Sequence, residues 1–294
     1  MNREIRSNKR PDWLKVRLPQ GRSYGEIKEL LRGLTLHSVC EEAHCPNIGE
    51  CFESRTATFL ILGRVCTRNC RFCAVESGRP TELDEREPER VAEAVKTLQL
   101  RHVVVTSVTR DDLDDGGAGI FAETVRQIRA AAPGCSVEVL IPDFKGSVSA
   151  LETVVRACPD ILNHNVETVV RLSRIVRPQA SYDRSVELLY QAKQIDRNTT
   201  TKSGLMVGLG ETVEELLEAM HDMREAECDI LTIGQYLSPS KRHVPVEKYY
   251  SPAEFERLRA EGERMGFGHV EAGPLVRSSY HARQQLEGMK RSDV

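Results

Sequence analysis

The sequence predicts an α/β fold, a partial (βα)6 TIM-like barrel with an N-terminal and a C-terminal extension. Short apolar runs alternate with helical patterns of ten or more residues from about residue 58 to residue 228. This alternation gives six units, too few to close an eightfold barrel. No linker rich in Pro, Gly or Ser and no repeat divides the chain, so we predict one compact domain.

Composition narrows the class of protein. The chain has 294 residues, of which 40% are hydrophobic, enough for a sizeable core. A net charge of −3 argues against nucleic acid or a membrane surface as a partner. No apolar run approaches the ~20 residues of a membrane span. Because the first ten residues lack the apolar core of a secretory signal, we predict a cytoplasmic protein.

The predicted N-terminal extension covers residues 1–57. Its first 19 residues are mainly basic, and we expect Trp13 to anchor them. This arm either docks a partner through its charge or is a loosely ordered terminus. A helix is predicted over 24–32, because Ile27, Leu30 and Leu31 recur at helical spacing.

The predicted barrel covers residues 58–250. Its strands are predicted at 58–63, 101–107, 136–141, 160–166, 200–207 and 229–234. Helices are predicted between them, at 88–98, 120–132, 147–157, 169–175, 182–195 and 212–225. The C-terminal extension, 251–294, is predicted to begin with a helix over 252–265 and a strand over 267–272. Ligand sites of parallel α/β folds gather at the carboxyl ends of the strands, so the polar residues that follow each strand are the first site candidates.

Three cysteines follow the first predicted strand of the barrel. Cys66, Cys70 and Cys73 have the spacing CxxxCxxC, and three thiolates this close along a loop can converge on one metal centre. A four-iron cluster normally takes four cysteines, so three would leave one iron free to bind a small molecule. The spacing favours such a cluster over a zinc loop or chance proximity.

A second triad lies upstream. Cys40, Cys45 and Cys51 are spaced CxxxxCxxxxxC. Disulfides are rare in the cytosol, so a second metal centre is the natural interpretation. Zinc with His44 is the alternative, although neighbouring side chains such as His44 and Cys45 seldom reach the same ion. A distant oxygen or nitrogen from residues 277–282 could complete a cluster instead. The three remaining cysteines are expected to be small buried residues, and they are Cys135, Cys158 and Cys228.

These motifs together resemble the lipoyl synthase family of radical S-adenosylmethionine (SAM) enzymes. The resemblance rests on both triads, on Thr-Ser-Val-Thr-Arg-Asp-Asp at 106–112, on Gly-Leu-Gly-Glu-Thr at 208–212 and on Arg-Ser-Ser-Tyr at 277–280. It covers nearly the whole chain, from Pro11 to Ala282. Another radical SAM sulfur-inserting enzyme, such as a methylthiotransferase, is the alternative, and a zinc-bearing or cluster-bearing scaffold is the non-enzymatic one.

The resemblance implies two four-iron (4Fe-4S) clusters with separate tasks. Cys66, Cys70 and Cys73 would hold the cluster whose open iron binds SAM, with Phe72 shielding it. The upstream triad would hold an auxiliary cluster that supplies sulfur, with Ser279 as its fourth ligand and Ser278 as the substitute. The implied reaction is radical-mediated insertion of two sulfur atoms at C6 and C8 of a protein-bound octanoyl-lysine, which gives the lipoyl cofactor.

The resemblance also implies partners and cofactor contacts. The substrate would be an octanoylated lipoyl-carrier domain of a 2-oxoacid dehydrogenase E2 subunit or of the glycine cleavage H protein. The electron donor would be a protein such as ferredoxin or flavodoxin. Polar residues at strand ends are the candidates for gripping SAM, and they are Thr106, Ser107, Asn163, Glu167, Lys202 and Gln235.

Overall fold

One eight-stranded sheet, shown by a computed structural model, forms the centre of the protein. The structure describes residues 10–16, 22–53, 56–80, 83–280, 282, 284 and 285. The strands are β1 (His37–Ser38), β2 (Thr58–Ile61), β3 (His102–Ser107), β4 (Ser136–Leu140), β5 (Ile161–Asn163), β6 (Thr201–Val207), β7 (Ile230–Gln235) and β8 (His269–Gly273). They lie side by side in chain order. β1 is antiparallel to β2, and every later pair is parallel.

Helices connect the strands. They are α1 (Arg22–Gly33), α2 (Val39–Glu42), α3 (Ile48–Glu53), α4 (Glu87–Thr97), α5 (Ala118–Ala131), α6 (Val148–Val155), α7 (Val170–Val176), α8 (Tyr182–Ile195), α9 (Val213–Glu225) and α10 (Pro252–Arg264). Two 3-10 turns, Asp12–Leu14 and Phe144–Gly146, accompany them. Across the described residues, none of the helices combines the length and the apolar character that crossing a membrane requires.

Local sequence sets several helix starts. Thr212 and Glu215 form a capping box at the start of α9, and Ser251 and Glu254 form another at the start of α10. In each box the hydroxyl accepts an N–H of the first turn while the glutamate accepts the N–H of the cap residue, so two otherwise unpaired donors are satisfied. Pro252 also suits the first turn, where no backbone hydrogen bond is lost.

The predicted fold class is confirmed. The six predicted barrel strands and the connecting helices are present, and the sheet is open because β1 and β8 are not paired within the described residues. The strand predicted at 267–272 is β8, which pairs in parallel with β7 and so extends the barrel sheet. The short elements β1, α2 and α3 were not predicted, since two to six residues carry no periodic signal.

Two predictions about single residues have different outcomes. Trp13 does anchor the start of the described chain, because its Nε1 donates to the carbonyl oxygen of Tyr250 at 3.2 Å. Residues 1–9 of the predicted basic arm lie outside the described residues.

Cys135 and Cys228 are buried as predicted, but Cys158 is exposed. It lies in the turn after α6 with φ of 55°, a conformation that belongs to a surface turn.

Candidate active site

The loop after β2 carries Cys66, Cys70 and Cys73, and we call residues 66–78 the cluster loop. A short parallel bridge closes it on itself. The Cys66 N–H donates to the carbonyl oxygen of Glu76 at 2.8 Å, and the Gly78 N–H donates to that of Cys66 at 2.9 Å. The Cys73 N–H donates to the carbonyl oxygen of Cys70 at 3.1 Å. The backbone therefore keeps the three thiols on one compact turn.

The Thr-Ser-Val-Thr-Arg-Asp-Asp motif fastens this loop to β3. The Thr67 N–H and hydroxyl both donate to the carbonyl oxygen of Thr109, at 3.0 and 2.9 Å. The N–H groups of Thr109 and Arg68 point at the Cys66 sulfur, at 3.3 and 3.4 Å. Such N–H···S bonds stabilise negative charge on a thiolate and help to set the potential of a bound cluster.

Arg68 joins the cluster loop to two strand ends. Its guanidinium makes two bonds to Asp111, at 2.7 and 2.9 Å, and one to Asp143 at 2.6 Å. Burial alone would raise the pKa of Asp143, but the hydrogen bond and charge of Arg68 lower that pKa to about 2. Asp143 is therefore a carboxylate at neutral pH, and a buried arginine bonded to two carboxylates fixes the loop.

The second triad lies on two short helices. Cys40 is in α2, Cys51 is in α3, and Cys45 lies between them. The Ser38 hydroxyl caps α2 by accepting the Cys40 N–H at 3.1 Å. The Cys45 N–H donates to the carbonyl oxygen of Cys40 at 3.0 Å, so the turn between the helices is locally closed. Burial raises the pKa of Cys51 to about 12, and the nearby Cys40 and Cys45 thiols add to the shift.

The C-terminal segment, residues 274–280, reaches this second triad. The Asn47 side chain donates to the carbonyl oxygen of Leu275 at 2.7 Å, and the Tyr280 hydroxyl donates to Glu50 at 3.1 Å. The segment crosses β7 at Gly234, where a Cβ would lie 2.1 Å from the carbonyl oxygen of Val276. Only a glycine at this position lets the segment lie so close to the sheet.

Both triads open onto one cavity of about 530 Å³ at the carboxyl ends of the strands. Cys40, Cys45, Cys51, Cys66, Cys70 and Cys73 all line it. So do Ser278 and Ser279 of the C-terminal segment. The structure therefore brings together residues that are up to 239 positions apart, from Cys40 to Ser279.

The spacing of the thiols bears on the zinc alternatives. A tetrahedral zinc holds thiolates at about 2.3 Å, which places any two sulfurs roughly 4 Å apart. Among the residues that the structure describes, one group of three His, Cys, Asp or Glu ligand atoms lies within 4.8 Å, and it is His221, Asp222 and Glu225 on α9. Neither cysteine triad therefore has its three sulfur atoms within 4.8 Å of one another, a wider spacing than one tetrahedral zinc ion requires.

The structure places two of the predicted cofactor contacts away from the cavity. Asn163 and Lys202 are fully buried and lie outside the cavity lining. Lys202 Nζ donates to both oxygens of Glu138, at 2.9 and 3.0 Å, and Asn163 donates to the same carboxylate at 2.9 Å. Burial would raise the pKa of Glu138, but the Lys202 charge lowers it to about 2. Glu138, Asn163 and Lys202 therefore form a buried cluster of polar and charged side chains that projects from three neighbouring strands.

Two further candidates line the cavity, but their polar groups are already hydrogen-bonded within the protein. The Thr106 hydroxyl donates to the carbonyl oxygen of Leu140 at 2.9 Å. Gln235 Nε2 lies 2.9 to 3.1 Å from three carbonyl oxygens, and its Oε1 accepts the Tyr250 N–H at 2.9 Å. The amide of Gln235 therefore ties β7 to residues 248–250.

The remaining candidates are Ser107 and Glu167. Ser107 Oγ and Asn165 Oδ1 are buried without a hydrogen-bond partner, and both residues line the cavity. Glu167 also lines it, accepts from the Asn165 amide at 3.1 Å and has φ of 73°. Burial raises the pKa of Glu167, although the neighbouring Arg177 opposes the shift. Unpaired buried polar atoms and a left-handed backbone conformation together make this wall a candidate ligand site.

The prediction from sequence missed Asn165 and Arg177. Asn165 stands two residues beyond Asn163, where β5 ends, so it lies past the carboxyl end of the strand and in the cavity lining. Arg177 Nη1 donates to the carbonyl oxygen of Val166 at 2.9 Å, which places its charge beside Glu167. His164, by contrast, has both ring nitrogens hydrogen-bonded within the protein, one to the carbonyl oxygen of Ile141 and the other to the Ser185 hydroxyl.

Comparison with known proteins gives the class first. The sequence model described as "Radical SAM superfamily" matches residues 60–223. HydG, a maturase of the FeFe-hydrogenase, superposes with a TM-score of 0.60 at 16% identity, covering 91% of this chain and 66% of that chain. Methylornithine synthase (PylB) superposes with a TM-score of 0.54 at 15% identity, covering 84% and 81%. The fold and the cluster loop are those of a radical SAM protein, which implies a 4Fe-4S cluster and SAM.

Closer relatives give the family. The model described as "N-terminal domain of lipoyl synthase" matches residues 1–45. Lipoyl synthase of Rubrobacter xylanophilus is 62% identical over 96% of this chain and 88% of its own length. Lipoyl synthase of Bacillus cereus strain G9842 is 56% identical over 99% and 98%. The chain belongs to the lipoyl synthase family. The predicted family is confirmed, and the methylthiotransferase and scaffold alternatives are set aside.

Proposed function

We propose that the two triads divide the work of lipoyl synthesis. Cys66, Cys70 and Cys73 hold the cluster that binds SAM. Cys40, Cys45 and Cys51 hold a second cluster with a serine of the C-terminal segment. The observation that carries this proposal is the single cavity lined by both triads and by both serines. A radical formed at one side of this cavity has its sulfur source at the other.

The chain's residues suit a cluster at the first triad. The thiols lie on a compact turn, and two N–H groups point at the Cys66 sulfur. Phe72 is partly buried against the apolar core between two of these ligands, so it shields the site from water. When bound, the cluster supplies the electron that cleaves a C–S bond of SAM and releases a 5′-deoxyadenosyl radical able to take hydrogen from an unactivated methylene.

Three residues form the wall that we propose for SAM, and they are Ser107, Asn165 and Glu167. All three line the cavity, and two of them have buried polar atoms without a partner. A carboxylate at Glu167 complements the positive charge of the SAM amino and sulfonium groups. Gly204 leaves room for the Asn165 side chain in this wall, because a Cβ at position 204 would lie 2.9 Å from Asn165 Oδ1. Asn163 and Lys202 are not among the residues that we propose to bind SAM.

The second cluster is proposed as the sulfur donor. Ser279 is its fourth ligand in this proposal, with Ser278 as the substitute, since both line the cavity. A hydroxyl matches iron in a sulfide cluster less well than a thiolate does, so this ligand is the easier one to lose. A cluster that must give up sulfur benefits from a ligand of this kind.

We further propose the setting of the reaction. The substrate is an octanoyl-lysine on a lipoyl-carrier domain of a 2-oxoacid dehydrogenase E2 subunit or of the glycine cleavage H protein, in the cytoplasm. Arg10, the first described residue, is exposed and lines the cavity. Arg10 therefore offers positive charge at the cavity, where a carrier presenting its lysine has to approach.

Mass spectrometry of the carrier tests the proposed function. The enzyme is incubated without oxygen with SAM, dithionite and an octanoyl-lysyl carrier domain. The carrier is expected to gain two sulfur atoms per octanoyl chain, and 5′-deoxyadenosine is expected to accumulate with it. Formation of 5′-deoxyadenosine while the carrier mass stays unchanged would contradict the proposal.

A further inference from the structure

The loop between β7 and α10, residues 236–251, contacts both the cavity and the cluster loop. Residues 236–239 line the cavity. Further along, His243 Nε2 donates to the carbonyl oxygen of Cys73 at 3.0 Å, and the Val244 N–H donates to that of Arg71 at 3.1 Å. These two carbonyl groups flank Phe72. The β7–α10 loop therefore holds the backbone on both sides of the residue that shields the first triad.

The first and last ligands of this triad are fixed by different parts of the barrel. The Cys66 sulfur accepts the N–H of Thr109, from the segment after β3, at 3.3 Å. Cys73 is reached instead from the β7–α10 loop, and its partner there is a side chain, the imidazole of His243. Substitution of His243 therefore removes this contact and leaves the backbone sequence of the cluster loop unchanged.

His243 is itself held in one orientation. A carbonyl oxygen only accepts, so the Nε2 of His243 carries the hydrogen. In the neutral ring Nδ1 then accepts from the Ser240 hydroxyl, at 2.9 Å. The Tyr236 hydroxyl fixes the next residue by donating to the carbonyl oxygen of Val244 at 2.8 Å. The ring cannot turn away from Cys73 without breaking the bonds at both of its nitrogens.

The bond from His243 fixes the peptide unit that follows Cys73. This unit is planar, so a carbonyl oxygen held toward His243 also sets the direction of the Ala74 N–H, on the opposite side. Burial raises the pKa of the Cys73 thiol to about 12, and the Val75 N–H opposes this shift by bonding the sulfur. An N–H···S bond favours negative charge at the sulfur, and it therefore favours the reduced state of a bound cluster.

We propose that His243 is a positioning residue for SAM cleavage. Its bond to Cys73 keeps the Val75 N–H directed at the Cys73 sulfur, and this raises the potential at which the bound cluster accepts an electron. The imidazole itself transfers no proton and acts only through Cys73. The inference rests on the proposed function, because the cluster at the first triad has to accept one electron from an external reductant for each SAM that is cleaved.

Substitution of His243 tests the inference in the holoenzyme. An EPR-monitored redox titration gives the midpoint potential of the cluster whose signal changes when SAM is added. His243→Ala should shift this potential to a more negative value, because the N–H···S bond loses its support. At a fixed dithionite concentration, kcat for 5′-deoxyadenosine formation should fall by about tenfold, the scale of one hydrogen bond to a charged group. The KM for SAM should stay unchanged.

Three further variants separate positioning from general stability. His243→Gln keeps an N–H donor and should restore the potential and most of kcat. Ser240→Ala keeps the imidazole but removes the bond that orients it, so the shift should have the same direction and a smaller size. His221→Ala changes an exposed histidine on α9 and should match the unchanged enzyme.

An unchanged potential in His243→Ala would overturn the inference, as would an equal shift in His221→Ala. Loss of iron from both His243 variants would also overturn it, because the imidazole would then serve only to keep the cluster loop folded. If His243→Ala alone loses iron, a negative shift in Ser240→Ala supports the inference and an unchanged potential there overturns it. If the unchanged enzyme gives no EPR signal that responds to SAM, the proposed function has failed instead.

Discussion

The two cysteine triads line the same cavity, yet the chain holds them in different ways. The cluster loop is bonded to remote parts of the barrel, with contacts to Thr109, Asp143, Gln179 and Val176. The upstream triad lies on α2 and α3, which have four and six residues, and its backbone bonds are mostly local. Helices this short have little stability of their own.

This difference fits the two metal centres that we propose. The first is embedded in the rigid frame, as a cluster that survives every turnover should be. The second depends on local turns and on the C-terminal segment, which contacts it through Asn47 and Tyr280. A site of this kind can release its contents and be refilled without disturbing the barrel. The predictions below test this contrast.

The largest effect is expected from removing one ligand of each triad. Cys66→Ala should abolish 5′-deoxyadenosine formation, because the SAM-binding cluster loses one of its three ligands. Cys40→Ala should keep SAM cleavage but yield no sulfur-containing carrier. Cys158→Ala is the control, since that thiol is exposed outside both triads, and it should keep both activities. Equal loss of both activities in folded Cys66 and Cys40 variants would remove the distinction.

A smaller effect is expected in the bonds that anchor the cluster loop. Arg68→Lys cannot reproduce the paired bonds to Asp111 and the bond to Asp143. We expect cluster retention in the presence of an iron chelator to fall by about 10-fold to 100-fold. The control is Arg126→Lys, which alters an exposed pair with Glu123. If the Arg68 variant keeps its iron as well as the control does, the loop does not need this anchor.

Substitution of one serine should sharpen the account of the second site. Ser279→Ala should lower sulfur insertion by about tenfold, a typical cost of weakening a metal site, while SAM cleavage continues. Ser278→Ala is the matched control at the neighbouring position and should remain close to the unchanged enzyme. A full yield from the Ser279 variant with a reduced yield from the Ser278 variant would exchange their roles.

The smallest effect concerns pH and the turn that leads into the cluster loop. Glu87 Oε2 accepts the Leu62 N–H at 2.6 Å, and burial raises the pKa of Glu87 to about 7. Between the unfolded value of 4.5 and about 7 the folded state holds a proton that the unfolded state has lost, so stability falls as pH rises. The contribution is at most about 3 kcal/mol.

Denaturant titrations at about pH 5 and about pH 8 measure how much the free energy of unfolding changes with pH. Glu87→Gln should lose less stability between the two conditions than the unchanged protein does, because its side chain does not ionise. Glu93→Gln lies exposed on the same helix and should follow the unchanged protein. Identical pH dependence in all three proteins would show that Glu87 does not carry the effect.

The strands of the barrel could be predicted because each is a short apolar run between turn residues. β1, α2 and α3 could not, since they are held by capping and by contacts with the rest of the chain. Cys66, Cys70 and Cys73 could be placed at the site because parallel strands share one carboxyl edge, whereas the upstream triad and the serines were placed together by the family resemblance.

The cofactor contacts were harder to predict. Asn163 and Lys202 are polar residues in predicted strands, but they bond Glu138 inside the sheet. β5 ends at Asn163 and Asn165 lies past this end in the cavity lining, but a single sequence does not reveal where the cavity begins. Gln235 was expected at the cavity and is there, yet its amide is bonded to backbone from residues 207 to 250. Sequence shows which groups are polar but not which of them already have partners.

Isotope tracing of sulfur tests the central claim most directly. The enzyme is reconstituted with clusters that contain heavy sulfide, freed of excess sulfide, and allowed one turnover on an octanoyl-lysyl carrier. The account predicts two heavy sulfur atoms in the product of the unchanged enzyme and none with Cys40→Ala, although that variant still cleaves SAM. A product that carries light sulfur, or heavy sulfur delivered by the Cys40 variant, would contradict the assignment of Cys40, Cys45 and Cys51 as the sulfur source.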